Sequence, residues 1–214
     1  MKTKSFTLIE LLVVIVIIGI LAGVITITTT SYISKANFAK AQAFSSTVQT
    51  ELLSDLVSEW TFDEDSGTTA KDTWGNNDGT LVGANGLPQL QSKQDCVYGT
   101  CYLFDGVDDY IESIDFPKIE ERLTVGAWIN PTNLNKNMAI ISKWGTGSQF
   151  LFNLQQSGKI TLESPDNVFY DSISSVKINN WEFVVISLDG FYVRHYINGI
   201  LDRQQQQIIH CNFL

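Results

Sequence analysis

The chain has 214 residues, a net charge of −9, 44% hydrophobic residues and three cysteines. Its charge is unevenly divided: residues 1–40 carry Lys2, Lys4, Lys35 and Lys40 against Glu10, a net +3, which leaves −12 for the remainder. So acidic a C-terminal portion repels phosphate backbones, which excludes nucleic acid as its partner and leaves neutral glycans, cations and protein surfaces.

Met1-Lys-Thr-Lys-Ser5 precedes an apolar run, Phe6 to Ile25, interrupted by one carboxylate, Glu10. About 20 residues of helix span about 30 Å, the thickness of a bilayer's hydrocarbon core. A helix is the open-ended structure that satisfies its own backbone in lipid. Lys2 and Lys4 hold the N-terminus in the cytoplasm and send the rest across. A secretory signal peptide would have a shorter apolar core and a small-residue cleavage site after it, so it ranks low. A plain signal anchor accounts for the length and the lysines but not for Glu10, because a charge in lipid is costly and needs a partner. Gly19 and Gly23 form a Gly-x-x-x-Gly pattern that lets helices approach closely, although glycine is also simply common in membrane helices. Thr26–Thr30 marks the exit from lipid. Ile33, Ala36, Phe44, Val48, Leu52 and Leu56 then recur near helical spacing, with Lys35, Lys40, Gln42 and Gln49 between them, which predicts an amphipathic helix over 26–56.

Ser5-Phe6-Thr7-Leu8-Ile9-Glu10-Leu11-Leu12 resembles the cleavage and methylation motif of type IV prepilins and type II secretion pseudopilins, with a match over roughly residues 1–35. The resemblance implies a leader at 1–5, cleavage between Ser5 and Phe6 by a prepilin peptidase, N-methylation of Phe6, and a pilin helix at 6–56 whose membrane span is about 6–26. The family usually has Gly before the cut, where this chain has Ser5, and that bears on the efficiency of processing. For Glu10 the resemblance implies pairing with the Phe6 ammonium of a neighbouring subunit: two charges costly alone in a low dielectric become tolerable together and fix the register of stacked helices. Gly19 and Gly23 join Glu10 as expected assembly residues. The implied location is the bacterial cytoplasmic (inner) membrane, single-pass with the head extracytoplasmic, and then an extracellular pilus or the cell surface among other pilin subunits.

After Val57 helical spacing gives way to short alternating runs between turn signals. Strands are expected at Val57–Phe62, Cys101–Phe104, Tyr110–Ile114, Leu123–Asn130, Ala139–Lys143, Phe150–Leu154, Lys159–Glu163, Trp181–Leu188 and Phe191–Ile197. Asp65-Ser-Gly67, Gly75-Asn-Asn-Asp-Gly79, Asp105-Gly106, Ser157-Gly158, Asp189-Gly190 and Asn198-Gly199 mark turns, so an antiparallel sandwich is expected. Trp60-Thr-Phe-Asp, Asp72-Thr-Trp-Gly, Leu103-Phe-Asp-Gly-Val-Asp-Asp-Tyr-Ile111, Leu123-Thr-Val-Gly-Ala-Trp-Ile129, Trp181-Glu-Phe-Val-Val-Ile186 and Tyr196-Ile-Asn-Gly199 resemble the concanavalin A-like, laminin G-like jelly roll over most of 57–203. The fold class expected is thus α+β: a long N-terminal transmembrane and amphipathic helix, then an antiparallel β-sandwich at 57–203 and a tail at 204–214. That family usually adds strands after the Asn-Gly hairpin, whereas here Gln204–Gln207 and Ile-Ile-His-Cys-Asn-Phe-Leu214 follow, so a C-terminal truncation and an unpaired sheet edge are expected.

In an exported head Cys96 and Cys101 are expected to close a tight Gly-containing loop as a disulfide; kept reduced, they are two thiols. Asp63, Asp72, Asn76, Asn77 and Asp78 offer the hard oxygens calcium requires, with Gly75 and Gly79 for tight turns, but the same residues also build turns without metal. Asp105, Asp108 and Asp109 form a weaker set of the same kind. Calcium is the one cofactor the residues suggest, and none is required. Trp60, Trp128 and Trp181 lie in alternating apolar runs and are assigned to the core, while Trp74 and Trp144 sit beside Gly in loops and are the candidates for stacking on a sugar ring. Glucanases of the resembled fold use a Glu-x-Asp-x-x-Glu strand. The nearest string, Asp63-Glu-Asp-Ser-Gly-Thr68, is a turn without the second Glu, and His195 and His210 stand in no recognisable triad, so no catalysis is expected. The chain is read as a major or minor pilin-like subunit with a lectin-like head for adhesion or ligand recognition. The alternative is a pseudopilin of a type II secretion or DNA-uptake machine acting through protein contacts alone.

Overall fold

The computed structural model describes residues 7–113, 122–143, 150–164 and 168–207, with residues 24–31 described as backbone alone. The chain divides into two compact units, Met1–Lys40 and Ala41–Leu214. Helix α1 runs Leu8–Glu51 and is followed by a 3-10 turn, Leu53–Asp55. Among the described residues no helix is long and apolar enough to cross a membrane. The apolar run with described side chains, Leu8–Gly23, covers about 24 Å at helical rise, and the span expected to residue 26 extends outside it.

Thirteen strands follow: β1 Thr69–Ala70, β2 Gly79–Val82, β3 Gln89–Gln91, β4 Cys101–Leu103, β5 Tyr110–Glu112, β6 Arg122–Ile129, β7 Met138–Lys143, β8 Phe150–Leu154, β9 Ile160–Glu163, β10 Phe169–Asp171, β11 Glu182–Asp189, β12 Tyr192–Ile197 and β13 Ile200–Gln206. Every pairing is antiparallel. Two four-stranded sheets, β13-β12-β11-β6 and β10-β9-β8-β7, form the sandwich, with β1-β2-β5 and β3-β4 as smaller sheets.

Period-two alternation explains the core. Phe150, Phe152 and Leu154 of β8, and Ile160 and Leu162 of β9, project inward against Val184 and Ile186 of β11 and Val193 of β12. The alternate residues of β11, Phe183 and Val185, face the other way and pack with Ala41 of α1, with Phe44, Val48, Trp128 and Tyr196 around them. The second half of α1 thus covers the outer face of one sheet with residues at i, i+3 and i+7 (Ala41, Phe44, Val48), the stripe a helix offers to a flat surface. Burying a side chain the size of Phe183 there contributes about 2–3 kcal/mol.

Two glycines make the close approach possible. A Cβ at Gly126 would stand 2.9 Å from the Phe183 ring. Asn198 (φ 51) and Gly199 (φ 73) form the two-residue β12–β13 turn with both residues left-handed, the geometry that follows the twist of the flanking strands. A Cβ at Gly199 would lie 2.8 Å from Cβ of Phe44, so glycine serves both the turn and the seat of α1.

The structure departs from the expected elements in identifiable places. Val57–Phe62 is not a strand: Trp60 makes one isolated bridge to Asp72, and Phe62 turns to φ 58, which breaks an extended run. The expected helix to residue 56 ends at Glu51, and Leu56 is extended. Strands β1, β2, β3 and β10 appear where turn residues masked them. β13 runs to Gln206, into the segment read as tail, because an edge strand needs no apolar alternation. Ile114 of the expected strand Tyr110–Ile114 lies outside the described residues.

Candidate functional site

At the N-terminus Ser5 and Phe6 lie outside the described residues. Just after them, Thr7 and Glu10 close a capping box. The Thr7 backbone N–H and hydroxyl donate to Oε2 of Glu10 at 2.8 and 2.7 Å, and the Glu10 N–H approaches the Thr7 hydroxyl oxygen at 3.4 Å. This satisfies donors at the start of α1 and leaves Oε1 of Glu10 without a hydrogen bond among the described residues. Gly19 and Gly23 lie on an open helix surface, with nothing within 4 Å of a Cβ at either.

Of the five residues expected to offer calcium oxygens in the 63–78 region, four are engaged in hydrogen bonds of the fold. Asp72, 8% exposed, is committed to the backbone. Its Oδ1 accepts the N–H groups of Glu59, Trp74 and Gly75 at 2.9, 3.1 and 2.8 Å, and Oδ2 accepts that of Asn77 at 3.0 Å. Burial opposes its charge, but those N–H groups outweigh burial and hold its carboxyl well below the usual range. Asp78 pairs with Lys71 at 2.6 Å and accepts the Asp72 N–H. Asn77 donates to Ser58, while its carbonyl accepts Trp60 Nε1 and the Ser113 hydroxyl. Asp63 caps Thr100 in another loop, and Asn76 is exposed. Sequence composition flagged this turn as oxygen-rich; both oxygens of Asp72 and Oδ1 of Asp78 accept backbone N–H groups.

Carboxylates do converge after β4. Asp105, Asp108 and Asp109 each place an oxygen within 4.8 Å of the other two. Asp105 Oδ1 accepts the N–H groups of Val107, Asp108 and Asp109, the first at 2.7 Å, and these hold its carboxyl below the usual range. Asp109 Oδ2 accepts the Asp105 N–H, and Asp108 Oδ2 accepts Asn85 Nδ2, each at 2.9 Å. One oxygen of each carboxylate remains, and that of Asp108, Oδ1, is buried without a hydrogen bond. Three like charges this close repel one another, and a divalent cation with a taste for oxygen would relieve them.

Cys96 and Cys101 are bonded. Closing so short a loop contributes about 2 kcal/mol by the chain-entropy account. The loop is tied in on both sides: Trp181 Nε1 donates to the Asp95 carbonyl at 2.9 Å, and the Tyr98 ring meets Trp128 edge-on at 6.3 Å. None of the three tryptophans assigned to the core is fully buried. Each donates its indole N–H, with Trp60 to Asn77, Trp128 to Ser45 and Trp181 to Asp95. Trp74 is 49% exposed and available for stacking, whereas Trp144 lies outside the described residues.

Residues 1–26 match the family model for the prokaryotic N-terminal methylation motif, and residues 105–208 match that for the concanavalin A-like lectin/glucanases superfamily. No curated protein matches the chain. Among solved structures, domain 4 of AbnA, a GH43 extracellular arabinanase from Geobacillus stearothermophilus in complex with arabinotriose, aligns with a TM-score of 0.59 at 20% identity, over 72% of this chain and 76% of that one. An S-layer domain-containing protein from Clostridium thermocellum (residues 221–444) aligns at 0.46 and 23% identity over 73% and 76%. The carbohydrate binding module CBM66 from Bacillus subtilis aligns at 0.38 and 15% identity over 61% and 80%. The first of these likenesses supports the sandwich fold.

Proposed function

We propose that this chain, which joins a type IV prepilin methylation motif to a concanavalin A-like head, is a pilin-like filament subunit whose head binds carbohydrate. The observation that carries the reading is the coupling of the two parts in one element: α1 begins in the methylation motif, and its second half is packed onto the outer face of the head's sheet through Ala41, Phe44 and Val48. Such a helix joins a recognition domain to whatever its N-terminal half assembles into. The leader at 1–5, cleavage at Ser5–Phe6, the single membrane pass, the prepilin peptidase as processing partner and passage of the head to the cell surface follow from this reading. The head acts by binding rather than catalysis, a reading supported by the lectin-like match. Calorimetric titration of the full chain in detergent with neutral oligosaccharides tests the head; binding of none of them would remove carbohydrate from the proposal.

Within filaments, Oε1 of Glu10 is the oxygen left to meet the ammonium of a neighbour's processed N-terminus. Glu10→Leu is expected to insert into the membrane normally and to be lost from sheared filaments by at least about tenfold, the effect of removing one paired charge of about 1.4 kcal/mol or more. Immunoblots of membrane and sheared fractions measure this, and equal incorporation of the variant counts against the pairing.

We assign calcium, as a proposal, to Asp105, Asp108 and Asp109 rather than to the Asp63–Asp78 turn. Millimolar calcium is expected to raise the melting temperature of the full chain by several degrees, about 4 °C per kcal/mol of linkage, and Asp108→Asn is expected to abolish the rise. A melt indifferent to calcium and to chelator would dismiss the site.

A further inference from the structure

We propose that the groove between the second half of α1 and the outer face of β6, β11 and β12 holds one sugar ring of a neutral glycan; this rests on the carbohydrate-binding reading above and gives it a location. The groove has a volume of about 250 Å³. That is small beside typical ligand sites of about 300–1,000 Å³ and suits a single ring more than an extended chain. Residues Phe44–Leu52 supply one wall, and they lie outside the segment matched to the lectin-like family, so the site belongs to this combination of helix and head.

The lining has two characters. Val185, 2% exposed, and the rings of Phe44 and Tyr196, 5.7 Å apart, make an apolar floor. Around it stand groups with hydrogen-bonding capacity to spare. Thr124 donates its hydroxyl to Ser187 at 3.2 Å, which leaves the Ser187 O–H free to donate and the Thr124 oxygen free to accept. The Glu51 carboxylate and the Tyr196 hydroxyl have no partner among the described residues. A sugar ring matches this arrangement, since it presents a C–H face to an apolar floor and hydroxyls to the rim. Glu51 is the groove's one ionisable acid and, with the acidic head around it, disfavours an anionic sugar. An extended peptide would seek a row of unpaired backbone groups, whereas these walls are a helix flank and a sheet face.

Titration calorimetry of the full chain in detergent with arabinotriose, xylotriose, cellotriose and, as an anionic control, trigalacturonate tests the assignment. At least one neutral trisaccharide is expected to bind and trigalacturonate to bind at least about tenfold more weakly. Ser187→Arg, which fills the groove, is expected to remove binding, Glu51→Gln to weaken it about tenfold through loss of a charged acceptor, and Asp65→Asn, an exposed charge outside the groove lining, to leave it unchanged. Ser187 lies on an outer face, and if its variant fails to fold, exposed Glu51 decides alone. Wild-type affinity in Glu51→Gln, or in a folded Ser187→Arg, overturns the groove while leaving a glycan-binding head intact. Failure of the wild-type chain to bind any of the neutral sugars overturns both.

Discussion

Asp72→Ala is expected to destabilise the head by roughly 4 kcal/mol, a large share of the about 5–15 kcal/mol that holds a typical domain together. Four backbone N–H groups, from Glu59, Trp74, Gly75 and Asn77, lose their acceptor at once. Three of them sit in a turn that also carries the Trp60 indole bond and the Asp78–Lys71 pair, so the damage spreads through residues 57–79. Asp72→Asn is expected to cost less, because an amide oxygen can still serve the Glu59, Trp74 and Gly75 side, while its NH₂ faces the Asn77 donor. Urea midpoints of the full chain measure both. The same residue ties stability to acid: the backbone N–H groups hold its folded carboxyl below the ordinary aspartate value of 3.8, so its contribution is full above that pH and is lost as pH falls further. Equal midpoints for wild type and Asp72→Ala would mean that the turn is organised by something else.

The second large effect comes from His195 and appears at milder acidity. Alternation on β12 places this ring between the sheets with no exposure, where Nε2–H donates to the Tyr170 carbonyl at 2.9 Å and Nδ1 has no partner. Burial pushes its pKa down from 6.5 to about 4; the Tyr170 carbonyl and the nearby Asp202 and Asp171 pull it up, and Arg203 adds to the lowering. The unfolded chain therefore takes a proton near 6.5 that the folded chain refuses until about 4. Stability is full above 6.5 and falls as pH drops, at about 1.4 kcal/mol per pH unit, for a total of roughly 3 kcal/mol. Glu182 works in the opposite sense, since burial raises its carboxyl above 4.5 and the folded state gains a proton first, which trims the loss at the acid end. His195→Gln keeps an N–H for the Tyr170 carbonyl and carries no titrating ring. Its urea midpoint is expected to be flat between pH 6.5 and 5, where the wild type slopes; parallel slopes in the two proteins would assign the acid sensitivity elsewhere.

What the sequence made legible was whatever depends on neighbours in sequence. Apolar spacing marked α1, though it ran the helix five residues past its end at Glu51; the Asn198-Gly199 pair marked its hairpin, and alternation marked β6, β8, β11 and β12 within a residue or two. Phe44 and Val48 were on the face that packs, whereas Ala41 was passed over because an alanine adds little to a periodic signal. The misses depend on distant partners. At Asp72 the sequence offered a carboxylate for calcium or for a turn, and nothing local shows that Glu59, thirteen residues earlier, donates to it. β13 looked like a tail because glutamines hide a strand whose register is dictated by β12. The groove was invisible for the same reason: Glu51, Thr124, Ser187 and Tyr196 meet only after α1 docks on the sheet. Asp105, Asp108 and Asp109, by contrast, lie close in sequence, and their convergence needed only the turn at Gly106.

A filament subunit of the proposed kind is trimmed at the start of its helix and then polymerised. Mass spectrometry of the N-terminal peptide from filaments sheared off living cells examines that directly. The expected peptide begins at Phe6 and carries an added methyl group on its amine. A chain that begins at Met1, or that never occurs in the sheared fraction, would contradict the filament-subunit reading while leaving the lectin-like head as it is.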